Sequence, residues 1–133
     1  MIKGLSHITL LVNDLDKSSK MLEHIFDAKR IYDSGTKSFS ISMERFFLIW
    51  KIWVVLMQWK SLSSQTYNHI AFKISAKDFE IYLWKIKYLW LELMLSRPRI
   101  KWEWKSIYFY DYDNHLFELH TGTLKSRLKL YLS

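Results

Sequence analysis

Apolar and polar positions along this chain fall into one pattern that occurs twice. Positions 6–12, Ser-His-Ile-Thr-Leu-Leu-Val, read as a buried strand, and Asn13-Asp14 follow as a helix-capping signal. Leu15, Met21, Leu22, Ile25 and Phe26 then recur at roughly helical spacing, which predicts a helix over 15–26. Strands are expected at 30–32 and 38–42, and a long apolar region runs over 46–57. The pattern restarts at 68–74, Asn-His-Ile-Ala-Phe-Lys-Ile, and passes through Ser75 into a second helical stretch ending near position 89. There Phe79, Leu83, Ile86 and Leu89 or Trp90 supply the apolar stripe. Strands at 91–94, 106–110 and 116–120 close this half, with Asp111-Tyr112-Asp113-Asn114 as a turn.

Each half opens on a polar residue followed by His-Ile, and each reads βαβββ. The fold class is therefore α+β, built of paired βαβββ modules. Neither half can cover both faces of its sheet alone, so the halves must pair within one chain or between two. The expected organisation is a single domain over 1–133, with repeat halves at about 1–62 and 63–133 joined by the short polar stretch 60–66.

Composition narrows the class. A chain of 133 residues, half of them hydrophobic and 17% aromatic, is one packed domain rather than a disordered segment. Its apolar runs stay below the ~20 residues needed to span a bilayer, and its first residues do not resemble a secretion signal. With no cysteine there is neither a disulfide framework nor a thiolate, and a cytoplasmic location with no membrane partner is expected. The net charge of +7 could suit nucleic acid, but Lys and Arg are spread along the chain without a DNA-binding pattern. A solvated basic surface or an anion-attracting pocket is the expectation, and no nucleic-acid partner.

The repeat places His7 and His69 at equivalent points, each on a strand. Glu118 stands on the last strand, on one face with Leu116 and His120. Two imidazoles and a carboxylate suit Mn²⁺, Zn²⁺, Fe²⁺ or Ni²⁺, and the residues do not choose among them. Forty-nine positions separate His69 from Glu118, and the same step from His7 reaches Leu56, in a wholly apolar region. Three protein ligands with open positions mark a catalytic rather than a closed structural site. The plainer alternative is that each is a core histidine bonded to backbone. His24, His115 and His120 lack the symmetry, and His115 is expected to be structural or exposed.

The chain resembles the vicinal oxygen chelate superfamily and, within it, the FosX-type hydrolase branch of the fosfomycin resistance proteins. The resemblance is carried by Gly4-Leu5-Ser6-His7-Ile8-Thr9-Leu10, by Thr66-Tyr67-Asn68-His69-Ile70-Ala71-Phe72, and by Ser106-Ile107-Tyr108-Phe109-Tyr110-Asp111. It continues through Asp113-Asn114-His115-Leu116-Phe117-Glu118-Leu119-His120 and Gly122-Thr123-Leu124-Lys125-Ser126-Arg127-Leu128. It implies that His7, His69 and Glu118 hold Mn²⁺ and that the substrate is the phosphonate epoxide fosfomycin. Thr9, Tyr67, Ser106, Tyr108 and Arg127 match positions around the phosphonate or the reacting carbon, and hydroxyls with a guanidinium are suitable donors for a dianion. Glu44 stands where the hydrolase branch carries the base that deprotonates water; a surface glutamate paired with Arg45 is the plainer alternative. A homodimer is implied, with modules exchanged so that His7 stands opposite His69 of the partner subunit. Two other functions stay open: a thiol transferase using glutathione or bacillithiol, and a non-catalytic drug-binding protein.

The sequence departs from the family at glycines. Lys101-Trp102-Glu103-Trp104-Lys105 stands where relatives carry Gly-Glu-Gly, and Trp59 and Trp90 also replace glycine. Tryptophan tolerates positive φ and close backbone approach poorly. A displaced loop near the phosphonate or a narrowed substrate pocket is therefore expected, with lower stability, reduced activity and metal binding retained.

Overall fold

The computed structural model describes residues 1–37, 40–94 and 104–133. Trp102 and the expected strand positions Ser38 and Phe39 lie outside the described residues. Two compact units emerge: Met1–Ser64 with Tyr112–Asn114, and Gln65–Asp111 with His115–Ser133. We refer to them as module 1 and module 2.

Module 1 runs β1 (Ile8–Val12), α1 (Leu15–Phe26), β2 (Lys29–Asp33), β3 (Glu44–Ile49) and β4 (Ile52–Gln58). The strand order is β1-β4-β3-β2, with β1 parallel to β4 and the other pairs antiparallel. The Asp14 side chain caps α1 by accepting the Lys17 N–H, and the helix ends on Asp27 in the left-handed region. Alternation sends Leu10, Val12, Phe47, Ile49, Val54 and Leu56 into the core, where Met21, Leu22 and Ile25 of α1 are also buried. Each such side chain contributes roughly 1.5–3 kcal/mol by leaving water. Asp113 is 1% exposed and ties this module together, accepting from Asn13 N–H at 2.8 Å, Ser61 Oγ at 2.5 Å and Ser18 Oγ at 3.4 Å.

Module 2 repeats the topology: β5 (His69–Lys73), a 3₁₀ turn (Ala76–Asp78), α2 (Phe79–Tyr88), β6 (Glu92–Met94), β7 (Ser106–Tyr110) and β8 (Leu116–His120), in the order β5-β8-β7-β6. Ile107, Phe109, Phe117, Leu119 and Ile86 form its buried apolar side. A further helix, α3 (Leu124–Tyr131), is capped by a reciprocal Thr123–Ser126 box.

The structure revises two sequence expectations. Residues 40–42 are bends rather than strand, and the apolar region 46–57 is a hairpin of β3 and β4 turning at Trp50–Lys51. No glycine marks that turn; Trp50 itself adopts φ 51°. Trp90 occupies the left-handed position after α2, at φ 56°. There the Trp90 and Leu91 N–H groups donate to the Lys87 and Ile86 carbonyls, a Schellman arrangement that glycine ordinarily completes.

Candidate active site

In module 2, the register Ala71↔Glu118↔Tyr108 puts His69, Glu118, His120, Ser106 and Tyr108 on one sheet face. Glu118 is 4% exposed, and its Oε1 lies 3.3 Å from His69 Nε2. His69 Nδ1 sits 2.7 Å from the Tyr67 carbonyl, which can only accept, so Nδ1 carries the proton. In the neutral ring Nε2 then presents a lone pair toward a carboxylate oxygen. Two lone pairs facing each other are relieved by a cation between them, either a proton or a metal ion. Ligands bonded at about 2.1 Å to one divalent ion stand about 3 Å apart, so this spacing fits a metal.

The other Glu118 oxygen, Oε2, accepts from Ser106 Oγ at 2.7 Å. Burial pushes the Glu118 carboxyl up, but hydrogen bonds from Ser106 and Tyr108 and the neighbouring His120 and His69 outweigh it, holding it below the usual carboxylate value. Tyr108 is driven the other way: burial, the Tyr67 hydrogen bond and the Glu118 charge all raise it, so it stays a neutral phenol. The Tyr67 hydroxyl donates to that of Tyr108 at 3.3 Å, and the two tyrosine rings and His69 pack within 6.0 Å of one another. Arg127, on α3, places Nη2 3.0 Å from His120 Nε2.

Module 1 offers a sparser face. His7 is exposed just before β1, its ring 4.5 Å from that of Trp53, with Ser6 Oγ 3.0 Å from Nδ1. Thr9 points the same way, and the pairs Thr9↔Val55 and Glu44↔Met57 set Glu44 on that face too. Arg45, on the opposite face, bonds Asp16 at 2.8 Å, Asp33 at 3.0 Å and Ser19 at 2.9 Å. It does not pair with Glu44, and among the described residues no hydrogen bond or ion pair engages the Glu44 carboxylate.

The register also corrects the repeat count. Ala71 pairs with Glu118 and its counterpart Thr9 pairs with Val55, so Val55 rather than Leu56 is the equivalent of Glu118. Both are apolar, and module 1 supplies no matching carboxylate. Trp53 was not anticipated: its ring packs against His7 at a tilt of 37°, and its indole N–H is buried with no hydrogen-bond partner among the described residues. The signal was available, since Trp53 shares the alternation of Val55.

Structure therefore joins His69 and Glu118 with Tyr67, Ser106 and Tyr108 in module 2, and groups His7, Thr9 and Glu44 on one face of module 1. Among the described residues of the single chain, no three metal-ligating side chains gather at one point. His115 lies apart from these groups, with Nδ1 2.8 Å from Asp111 Oδ2. A cavity of about 420 Å³ in module 1, lined by Asp14, Asp16, Asp33, Arg45 and neighbours, contains none of the candidate residues.

Comparison with known proteins identifies the family. The fosfomycin resistance protein FosX of Listeria innocua serovar 6a is 56% identical over 131 residues, covering 98% of each chain. The metallothiol transferase FosB of Staphylococcus haemolyticus is 36% identical, over 98% of this chain and 92% of its own. The crystal structure of a glutamate-to-glutamine variant of FosX from Listeria monocytogenes, complexed with Mn(II) and 1S,2S-dihydroxypropylphosphonic acid, matches with a TM-score of 0.90 at 52% identity. That match covers 98% of this chain and 99% of the other. No family model matches the chain.

Two βαβββ modules, each with a histidine at its opening strand, make this a vicinal oxygen chelate protein. Identity to FosX exceeds identity to FosB by twenty points over the same share of the chain. The chain belongs to the FosX family of fosfomycin resistance proteins.

Proposed function

We propose that this protein destroys fosfomycin by adding water across its epoxide, with Mn²⁺ as cofactor and Glu44 as general base. The observation that carries the reading is the Glu44 carboxylate, which shares a face with His7 and Thr9 and is left unengaged because Arg45 turns to Asp16 and Asp33. His7, His69 and Glu118 would hold the metal, and the opposed His69 and Glu118 lone pairs support that choice. When bound, a divalent ion polarises the epoxide oxygen and steadies the negative charge that forms there as the ring opens.

The remaining work falls to side chains. Glu44 takes a proton from water as the water oxygen bonds to an epoxide carbon; the bond from that carbon to the epoxide oxygen breaks, and the alkoxide takes up a proton to give a vicinal diol. Thr9, Tyr67, Tyr108 and Arg127 would supply donors to the phosphonate, with Tyr108 kept protonated by its surroundings. Ser106, the fifth candidate, has its hydroxyl taken up by Glu118 and His120, so we give it a positioning role.

We further propose that the two modules act as one domain and that the protein is a homodimer whose sites draw on both chains. No helix among the described residues is long and apolar enough to cross a membrane, and we place the protein in the cytoplasm. The test is the mass and ³¹P signal of the product formed with Mn²⁺, with and without glutathione or bacillithiol. The expected product is the dihydroxyphosphonate in both cases. A thiol adduct as the main product would assign the protein to thiol transfer, and stoichiometric binding without turnover would make it a sequestering protein.

A further inference from the structure

We infer that His120 is a positioning residue that couples Arg127 to Glu118 through Ser106, in a hydrogen-bond chain with one fixed direction. Every link is short. Arg127 Nη2 lies 3.0 Å from His120 Nε2, His120 Nδ1 2.6 Å from Ser106 Oγ, and Ser106 Oγ 2.7 Å from Glu118 Oε2.

The donor inventory leaves one consistent assignment. A guanidinium has N–H groups and no acceptor, so His120 Nε2 must accept. The imidazole proton then sits on Nδ1 and is donated to Ser106 Oγ. The serine hydroxyl has a single hydrogen, which goes to the ionised Glu118. Chains of this kind polarise one another, and each member restrains the next. Their product is orientation: with Oε2 held by Ser106, Oε1 is turned toward His69 Nε2.

The surroundings protect this chain. A Cβ at Gly122 would come within 2.7 Å of His120 Nε2 and 2.9 Å of the Trp104 ring. The glycine at 122 is thus what lets the Trp104 ring and the His120 nitrogen occupy adjoining space. Trp104 packs beside this chain.

The proposal rests on the reading of Glu118 as a metal ligand, and the experiment separates the two. Mn²⁺ affinity of the full chain is measured by electron paramagnetic resonance titration without fosfomycin, for the parent, His120→Phe, His120→Asn, Arg127→Met and Glu118→Gln. Losing an outer partner of a metal ligand typically weakens binding about 10- to 100-fold, and that is expected for His120→Phe. His120→Asn keeps a donor near Nδ1 and should recover most of the loss. Arg127→Met should weaken Mn²⁺ binding in the parent and have no added effect in the His120→Phe background. Equal effects of Arg127→Met in both backgrounds, or unchanged affinity in His120→Phe, would overturn the coupling. If Glu118→Gln itself left Mn²⁺ affinity intact, the ligand reading would fail instead. Thermal melting monitors folding, and should His120→Phe not fold, Ser106→Ala carries the same expectation and the same refutation.

Discussion

The two modules share a strand order, β1-β4-β3-β2 and β5-β8-β7-β6, but invest their side chains differently. In module 1 the helix side is the stronger. Helix α1 buries Leu15, Met21, Leu22, Ile25 and Phe26 together with Ser18 and Ser19, and Arg45, Asp16 and Asp33 bond on that same side. The face carrying His7, Thr9 and Glu44 holds few polar bonds. In module 2 the balance reverses. Helix α2 buries only Ile86 and exposes Ile81, Trp84 and Tyr88, whereas the sheet face carries the linked His69, Glu118, Ser106, His120 and Arg127. Repetition of a backbone thus preserved where side chains point while their partners diverged: module 2 sets His69 against Glu118, and module 1 leaves the Glu44 carboxylate and His7 on a sparsely bonded face.

Denaturation of matched helix variants should reveal that divergence most strongly. Leu22→Ala in α1 removes a fully buried side chain and is expected to cost about 3 kcal/mol. Trp84→Ala in α2 removes a 60% exposed one and should stay within about 0.5 kcal/mol. Equal losses would mean that the outer face of α2 is covered in the working assembly.

A smaller change tests the ends of the same helices. Helix α1 ends on Asp27 in the left-handed region, which aspartate tolerates, but α2 ends on Trp90. Because Trp90 is 93% exposed, little contact is lost on truncation, and Trp90→Gly should raise stability by about 1 kcal/mol. A neutral or destabilising result in a melting experiment would assign the tryptophan a contact of its own.

The smallest effect concerns acid. Arg45 holds the Asp16 carboxyl below its ordinary value; for Asp33 the Gly35 N–H is the largest influence, opposed by burial and reinforced by Arg45. Both groups bind protons more weakly folded than unfolded, so their stabilisation is fully present above about pH 5 and is lost as pH falls below about 4 through the folded values. Arg45→Met should flatten the stability profile in that window and leave its shape above it unaltered. An unchanged acid limb would show that these exposed pairs contribute nothing measurable.

Much of this was legible from the chain because strong local signals agreed with the fold. The limits of α1 followed from an amphipathic stripe behind the Asp14 cap, and β7 and β8 from apolar runs set apart by Asp111-Tyr112-Asp113-Asn114. The β3–β4 hairpin was hidden because both strands are apolar and their turn, Trp50–Lys51, carries none of the usual turn residues. Helix α3 was missed because its Lys-rich sequence has only a weak apolar face; the Thr123–Ser126 box was its sole marker. The faces of His69, Glu118 and Glu44 were readable by alternation, but the bonds of Arg45 were not, since Asp16 and Asp33 are distant in sequence. The His120 chain was likewise invisible, because it needs α3 to bring Arg127 back over Gly122.

We propose Glu44 as the base and His69 with Glu118 as the core of the metal site, and Glu44→Gln tests that assignment most directly. Hydration of fosfomycin is followed by ³¹P resonance in parallel with Mn²⁺ titration of the same protein. Loss of a general base should lower kcat by about 10²- to 10⁴-fold, while Mn²⁺ affinity stays within about twofold of the parent, since Glu44 is not among the proposed ligands. Hydration that persists near the parent rate, or a collapse of Mn²⁺ binding, would contradict the role proposed for Glu44.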